Sequence, residues 1–133
     1  MADAQSRDTR PREPLDPAIR PGIVQRDEVL ITDQHLTRHV GGKGVFATPA
    51  MIWLMEMAAH NLVAPYLSPW QTTVGYEVHV FHRAPADLGD RIEVEARLAE
   101  VERNRLMFEV RATKDGQVLG DGIHRRAVVN ARD

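Results

Sequence analysis

The sequence predicts an α+β domain in which a largely antiparallel β-sheet wraps around one long buried helix. Residues 50–59 are good helix formers and, apart from Glu56, are apolar on every side, so this helix needs cover all round. Four segments with strand alternation follow the helix and are joined by turn signals. Because clean alternation gives a sheet one dry and one wet face, a sheet curled around the helix satisfies both patterns.

The composition describes a single small domain that can bury a core. The chain has 133 residues, of which 43% are hydrophobic and 27% are charged. Its formal net charge of −2 argues against a nucleic-acid partner, which usually requires a basic face. The absence of Cys excludes disulfides, thiolate nucleophiles and zinc fingers, and it suits a cytoplasmic protein. No stretch reaches the roughly 18 apolar residues of a membrane span, so no membrane partner is expected.

The N-terminal residues differ in composition from the rest of the chain. Residues 1–22 hold four of the eight prolines and no Phe, Trp or Tyr. Such a segment cannot bury enough apolar surface to offset the entropy lost on ordering, so we predict a disordered tail over residues 1–22. Residues 23–133 then form a single domain.

The first half of this domain contains one strand, one loop and the helix. The strand is predicted at residues 23–31, and the loop at residues 32–44 ends in Gly-Gly-Lys-Gly. Thr48 and Pro49 predict the start of the helix, with Thr48 as the N-cap and Pro49 at the first helical position. Pro65 closes the helix.

The strand after the helix carries a candidate functional residue at its end. Val74, Tyr76, Val78, Val80 and His82 alternate on one face, which points towards the helix if no bulge intervenes. A lone His in this position is more often a satisfied core or edge group than a catalytic one. His82 is nevertheless a candidate because it ends the apolar face beside the helix.

Three further strands complete the predicted sheet. They span residues 91–98, 106–113 and 117–129. Asp115 and Gly116 form a strong two-residue hairpin signal, and residues 102–105 indicate another tight turn. Gly120 and Gly122 lie inside the last strand, which predicts that the helix approaches the backbone closely there.

Glu56 is the charged residue whose position most needs an explanation. It lies in the middle of the apolar helix, where a carboxylate must find polar partners or pay for its lost hydration. Buried carboxylates concentrate at functional sites, but Glu56 could equally reach solvent at a helix edge or cap a neighbouring backbone group. Together with His82 it could supply a general base, a general acid or a water-positioning group.

Other features carry weaker signals. The helix N-terminus at Thr48 offers free amide groups that suit an oxyanion, although Thr48 could be simply an N-cap. Glu56 and His60 stand at positions i and i+4, but no third ligand is nearby in the sequence, so no metal site is predicted. Arg125 and Arg126 could bind an anionic ligand, although a solvated strand face with ion pairs to glutamates is the simpler interpretation.

Much of the chain resembles the hotdog-fold thioesterases, and among them the fluoroacetyl-CoA thioesterase type. The matching segments are VFATP…LME in residues 45–56, APYL in residues 64–67, and TVG…H…AP…G in residues 73–89. The likeness covers roughly residues 45–129, and the spacing of its Thr, Glu and His is fairly specific. The resemblance implies the hotdog arrangement, in which the sheet wraps around the helix.

The resemblance also implies site residues, position by position. Thr48, Glu56 and His82 match the catalytic Thr, Glu and His of the family. Gly75 matches a backbone position that contacts the substrate carbonyl, and Arg126 matches an Arg near the bound substrate. Glu56, helped by Thr48 and His82, would then activate water or attack the thioester directly.

The family hydrolyses acyl-CoA thioesters and works as a homodimer with sites shared across the subunit interface. The resemblance therefore implies an acyl-CoA substrate, a homodimer and no cofactor. The fluoroacetyl-specific enzyme carries a Phe-bearing lid between its first strand and its helix. Residues 23–45 contain no Phe, Trp or Tyr, so we expect a different small or medium acyl group here.

Two other functions stay open at this point. A non-catalytic hotdog protein could bind acyl-CoA as a sensor or hold a partner protein. A hotdog hydratase, or another pathway enzyme, could act on an acyl intermediate bound to a carrier. The sequence lacks the Asp-His pattern expected of a hydratase, so the hydratase hypothesis is weaker than the other two.

Overall fold

A five-stranded antiparallel sheet and one helix dominate the computed structural model, which describes residues 14–132. The helix α1 spans Thr48–Val63, and the strands are β1 (Val24–Leu30), β2 (Leu36–Thr37), β3 (Val45–Phe46), β4 (Gln71–His82), β5 (Arg91–Glu102), β6 (Arg105–Lys114) and β7 (Gln117–Asn130). The large sheet has the order β1-β5-β6-β7-β4, while β2 and β3 pair separately. The predicted order of one strand, one helix and four strands is confirmed. No helix among the described residues is long and apolar enough to span a membrane.

Tight turns connect the last three strands where the sequence predicts them. Asp115 and Gly116 join β6 to β7, and both have positive φ angles, 48° and 81°, as a type I′ turn requires. Arg103 and Asn104 join β5 to β6, and Arg103 has a φ of 56°. Because both connections are so short, β5, β6 and β7 have to pair as neighbouring antiparallel strands.

The sheet presents one apolar face to α1, as the alternation predicts. The helix packs mainly on β5 and also contacts β1 and β6. The buried residues on this face are Ile92, Val94, Ala96 and Leu98 of β5 and Leu106, Phe108, Val110 and Ala112 of β6. These side chains and the covered side of α1 form the hydrophobic core of the chain.

The helix is covered on one side in a single chain. Its buried residues are Met51, Met55, Ala58, Ala59, Leu62 and Val63. Trp53, between the first two of these, is 57% exposed. The prediction of burial on every face therefore does not hold at Trp53, because one sheet of this width reaches only one side of the helix.

Strand β4 is an edge of the sheet and exposes apolar side chains. Val74, Tyr76 and Val78 are 46%, 44% and 37% exposed. The pairing of β4 with β7 shifts in register immediately after Gly75, which marks a β-bulge. The prediction that this face of β4 points towards the helix assumed that no bulge is present. It is wrong for Val74, because the buried Thr73 is the helix-facing neighbour before the bulge. After the bulge it holds, since Val78 lies opposite the buried His124 on the helix side of the sheet.

The two glycines of β7 make room for different neighbours. A Cβ atom at Gly120 would lie 2.5 Å from Met51 Sδ, so α1 approaches the backbone there as predicted. A Cβ at Gly122 would instead collide with the carbonyl oxygen of His79 in β4. A Cβ at Gly120 would also lie 2.8 Å from the Phe81 carbonyl oxygen of β4. Gly120 thus serves both the helix contact and the contact between β7 and β4, whereas Gly122 serves the strand contact.

The described part of the predicted tail packs on the domain. Ile19 is only 5% exposed and belongs to the core, and the Gly22 N–H donates to the Leu98 carbonyl at 2.8 Å. Residues 14–22 therefore differ from the disorder predicted for them, because Ile19 and the partly buried Leu15 pack on the core and one backbone bond joins Gly22 to β5. The prediction for residues 1–13 falls outside the described residues.

Candidate active site

Thr48 and His82 form a hydrogen-bonded pair at the start of α1. The Thr48 Oγ1 lies 2.7 Å from His82 Nδ1. Thr48 is the first residue of the helix, and Ala47 is the N-cap, without a side-chain capping bond. The prediction that Thr48 caps the helix is therefore wrong, because its hydroxyl is committed to His82 instead.

The His82 ring is held on one side and has an unused nitrogen on the other. Its Nε2 is buried and bonds no protein group among the described residues. The ring stands edge-on to Phe46, with centroids 5.9 Å apart. A Thr hydroxyl can donate or accept, so either neutral tautomer of His82 fits the contact with Thr48. The pair can therefore pass a proton in either direction, with Nε2 left for a bound water or substrate.

An open cavity of about 380 Å³ adjoins this pair. It is lined by Thr37, Val45, Phe46, Thr48, His82, Arg83, Ala84 and Pro85. The short pairing of β2 with β3 brings residues 37 and 45 to the rim of the cavity. Four apolar and four polar or charged residues line the cavity, and a concave site that combines apolar surface with a few polar groups is typical of small-molecule binding.

Glu56 lies further along α1 and faces Gly75 of β4. A Cβ atom at Gly75 would be 3.1 Å from Glu56 Oε1, 3.1 Å from Arg126 Nη1 and 2.9 Å from His124 Cε1. The Glu56 side chain is 30% exposed, and its Oε1 is 3.9 Å from His124 Nε2. Glu56 therefore has polar neighbours and retains access to solvent, and Gly75 leaves the space in which these groups meet.

Arg126 is a buried cation beside Glu56. It is 6% exposed, its Nε donates to Thr73 Oγ1 at 2.9 Å, and its Nη2 donates to the Thr73 carbonyl at 3.0 Å. Burial lowers the pKa of Arg126, and the charge of Glu56 opposes that shift. The interpretation of a solvated face fits Arg125, which pairs with Glu77 at 2.7 Å, but it does not fit Arg126.

The predicted site residues therefore fall into two groups within one chain. One group joins Thr48 to His82, and the other joins Glu56 to Gly75 and Arg126. Thr48 and Glu56 are eight residues apart on α1, a separation of about 12 Å along the axis. Within residues 14–132, no hydrogen bond or ion pair links the two groups. We call them the Thr48–His82 group and the Glu56 group.

Sequence reasoning missed two residues that contact the Glu56 group, His124 and Thr73. His124 is 1% exposed and lies two residues from Arg126 on the buried face of β7. The sequence did carry a signal for His124, because His124, Arg126 and Val128 alternate along the last strand and must therefore lie on the same, buried face of the sheet. Thr73 could not be found this way, because its contact to Arg126 spans 53 residues.

His60, weighed above as a metal ligand with Glu56, is bonded to another protein group. Its Nδ1 lies 2.8 Å from Thr73 Oγ1. Burial, and secondarily the charge of Arg126, lower the pKa of His60. Among the described residues, no three His, Asp or Glu side chains are grouped in a way that could hold a metal ion.

A helix lying across an antiparallel sheet, with polar groups between the helix and the edge strand, defines a hotdog-fold protein. A hot-dog-like protein from Thermanaerovibrio acidaminovorans has this fold and superposes with a TM-score of 0.77. The alignment covers 84% of this chain and 84% of that chain at 22% identity, which demonstrates the shared fold.

Within this class, the chain belongs to the fluoroacetyl-CoA-specific thioesterase family, whose model matches residues 30–132. It is 40% identical over 86 residues to the fluoroacetyl-CoA thioesterase of Streptantibioticus cattleyicolor, a match that spans 65% of this chain and 62% of that relative. A crystal structure of a fluoroacetyl-CoA-specific thioesterase variant, in complex with fluoroacetate and CoA, superposes with a TM-score of 0.77 at 32% identity. That alignment covers 84% of this chain and 95% of the other.

Proposed function

We propose that the protein hydrolyses acyl-CoA thioesters to a free acid and CoA. The observation that carries the proposal is Glu56, a carboxylate on an apolar helix that meets Gly75 and the buried Arg126. Membership of a thioesterase family supports this chemistry, as does the relative that binds fluoroacetate and CoA. The cysteine-free sequence leaves the oxygen and imidazole groups of these residues as candidates for the reaction.

The reaction needs a nucleophile, an oxyanion donor and a proton source. In one route Glu56 takes a proton from water, the water oxygen attacks the thioester carbonyl carbon, and the C–S bond breaks. In the other route the Glu56 carboxylate attacks the carbonyl itself, and water then hydrolyses the resulting anhydride. The Gly75 amide is the proposed oxyanion donor, and the thiolate that leaves takes a proton from the Thr48–His82 group. The proton removed from water returns to that group through solvent, so the enzyme ends the cycle in its starting protonation state.

We further propose that the working form is a homodimer joined through β4. An unpaired edge strand is a template for pairing with another chain, and β4 is twelve residues long. Its exposed Val74, Tyr76, Val78 and Phe81 would become buried in such an interface. The 57% exposed Trp53 on the uncovered side of α1 gives the same indication.

A dimer of this kind would also join the two groups of site residues. Gly75 lies in the first half of β4, beside Glu56, and His82 is the last residue of β4, beside Thr48. When two copies of one strand pair antiparallel about a two-fold axis, the two ends change places. The Glu56 group of one protomer then faces the Thr48–His82 group of its partner, so the complete site has residues from both chains.

The acyl group proposed for this site is small or medium in size. The cavity beside Thr48 and His82 measures about 380 Å³, and Val45, Phe46 and Ala84 supply apolar surface for the chain. No Phe, Trp or Tyr is available in residues 23–45 to close over a fluoroacetyl group. We therefore propose a preference different from that of the fluoroacetyl-specific relatives.

The proposed location of the enzyme is the cytoplasm. A chain without Cys has no disulfide to form and is suited to a reducing compartment. Fractionation of cells, with the protein detected by antibody, tests this location. Recovery of the protein outside the cytoplasmic fraction would contradict it.

The proposed activity is tested with a panel of acyl-CoA thioesters and a thiol reagent that detects free CoA. We expect turnover of short and medium acyl-CoA, with Glu56→Ala and Glu56→Gln reducing it by at least about 10²-fold. Glu93→Ala, at an exposed position on β5, is the matched control and should retain full activity. Tight binding of acyl-CoA without turnover by the wild-type protein would instead identify a binding protein.

A further inference from the structure

A buried imidazole, that of His124, stands behind the Glu56 group. Its Nδ1 lies 2.9 Å from the Glu77 carbonyl oxygen, and its Nε2 lies 3.1 Å from Arg126 Nη1. A carbonyl can only accept a hydrogen bond, so Nδ1 carries the proton and donates. A guanidinium can only donate, so Nε2 has no proton and accepts. The two contacts together specify a neutral His124 with its proton on Nδ1.

We propose that His124 is a positioning residue, whose neutral ring accepts a hydrogen bond from Arg126 and thereby holds the guanidinium beside Glu56. The inference deepens the proposed thioesterase function and rests on it. It adds to that function a residue that acts on the site through Arg126 and does not touch the substrate.

The hydrogen bonds of Arg126 explain why it needs such a residue. Its hydrogen-bond partners are the Thr73 hydroxyl, the Thr73 carbonyl and His124, which are all neutral. None of them cancels its charge, and the carboxylate whose charge acts on it is that of Glu56. Neutral acceptors therefore fix the direction of the guanidinium and leave its charge for Glu56 and for the substrate.

The position of the His124 ring is itself fixed by packing. Phe108 of β6 stacks on it, with centroids 6.4 Å apart and planes 28° from parallel. On another side, Gly75 leaves the ring just enough room, since a Cβ there would be 2.9 Å from Cε1. A ring confined in this way can hold Arg126 within tenths of an ångström, which is the precision a catalytic arrangement needs.

The charges around His124 also favour its neutral form. Glu56 faces it from α1, Arg126 from β7 and the Glu77 carbonyl from β4, while Phe108 covers it from β6. Burial lowers the pKa of His124, and Arg126 lowers it further against the opposing effects of Glu77 and Glu56. Protonation would place a second cation against Arg126 and would remove the acceptor at Nε2.

Two substitutions separate positioning from packing. His124→Phe keeps the bulk and the stacking on Phe108 but removes both hydrogen bonds, whereas His124→Gln supplies an amide donor and a carbonyl acceptor. We expect His124→Phe to lower kcat/KM by about 10²-fold, mainly through kcat. We expect His124→Gln to recover most of that loss. Because protonation of His124 removes the acceptor for Arg126, kcat of the wild type should fall at acid pH, and His124→Gln should weaken that fall.

The outcomes that overturn the inference are equally specific. If His124→Phe keeps kcat/KM within a few-fold of the wild type, or if His124→Gln is no better than His124→Phe, His124 does not position Arg126. A loss of activity that follows the unfolding midpoint in both variants would assign His124 a purely structural role.

A measurement on the wild-type protein tests the inference without any turnover. Nitrogen-15 NMR of the histidine rings at neutral pH should show His124 protonated on Nδ1 and unprotonated on Nε2, with a protected Arg126 guanidinium signal. In His124→Phe that Arg126 signal should lose its protection. A proton on Nε2, or an unchanged Arg126 signal in His124→Phe, would overturn the inference whether or not the protein hydrolyses acyl-CoA. Absence of any hydrolysis would separately refute the proposed function.

Discussion

Replacing Thr48 with valine separates the two roles that this residue could have. Valine has the same shape and branching as threonine, and the two have similar helix propensities, so the change removes the hydroxyl alone. The hydroxyl lies 2.7 Å from His82 Nδ1 and makes no capping bond to the helix. We therefore expect Thr48→Val to impair the reaction and to leave the fold almost unchanged.

The size of each effect follows from these contacts. One neutral hydrogen bond contributes about 1 kcal/mol to folding, which corresponds to about 4 °C in Tm for a domain of this size. Loss of a helix cap would add about 1 kcal/mol more, but Ala47 is the N-cap here. Loss of a group that takes part in general acid–base catalysis lowers kcat by about 10²–10⁴-fold. The effect on rate should thus greatly exceed the effect on stability.

The assay combines CoA release, followed with a thiol reagent, and thermal unfolding of the same samples. Thr48→Ser is the matched control, because it keeps a hydroxyl that can reach His82 and should retain most of the activity. Activity of Thr48→Val within a few-fold of the wild type would show that the Thr48 hydroxyl takes no part in the reaction. A fall in Tm well beyond about 4 °C would show instead that the residue acts through the fold.

Three further predictions concern the fold and the assembly. Gly120→Ala places a methyl group 2.8 Å from the backbone carbonyl oxygen of Phe81 and 2.5 Å from Met51 Sδ, so urea unfolding should show a loss of about 1–3 kcal/mol, and an unchanged midpoint would contradict these contacts. Val78→Lys on the edge strand should give monomers in sedimentation analysis, whereas Leu88→Lys in a loop should not; a dimer in both variants would exclude β4 as the interface. Because burial lowers the pKa of His124 below its ordinary 6.5, the folded state binds fewer protons than the unfolded chain just below that pH. The protonation of His124 should therefore leave the free energy of unfolding unchanged above pH 6.5 and reduce it as the pH decreases below that value. In thermal unfolding, His124→Phe should show a weaker dependence of Tm on pH. An equally steep dependence in the variant would assign it to other groups.

The order of the elements could be predicted because its signals are local. Alternation over residues 106–113 and the dipeptide Asp115-Gly116 each specify their structure within a few residues. The bulge after Gly75 and the exposure of Trp53 could not be predicted in the same way. The bulge depends on the register of β4 against β7, which are distant in sequence, and the exposure of Trp53 depends on how much of the helix a single sheet covers.

The candidate site was predictable only in part, for a similar reason. Glu56 could be found because a charge within an apolar helix is conspicuous in the sequence. Thr48 was wrongly predicted as the N-cap because Thr followed by Pro is the usual signature of a helix start, whereas its bond to His82 spans 34 residues and leaves no local signal. Thr73 carries no local signal, since its partner Arg126 is distant in sequence.

In the proposed dimer, the pairing of the Glu56 group of one protomer with the Thr48–His82 group of its partner creates one hydrolytic site. This pairing is tested most directly by co-expressing Glu56→Ala and His82→Ala chains and measuring CoA release by the mixture. In a mixed dimer, one of the two shared sites keeps both wild-type residues, so a random mixture of two inactive variants should regain about a quarter of wild-type activity. A mixture that stays as inactive as either variant alone, although mixed dimers form, would contradict the pairing.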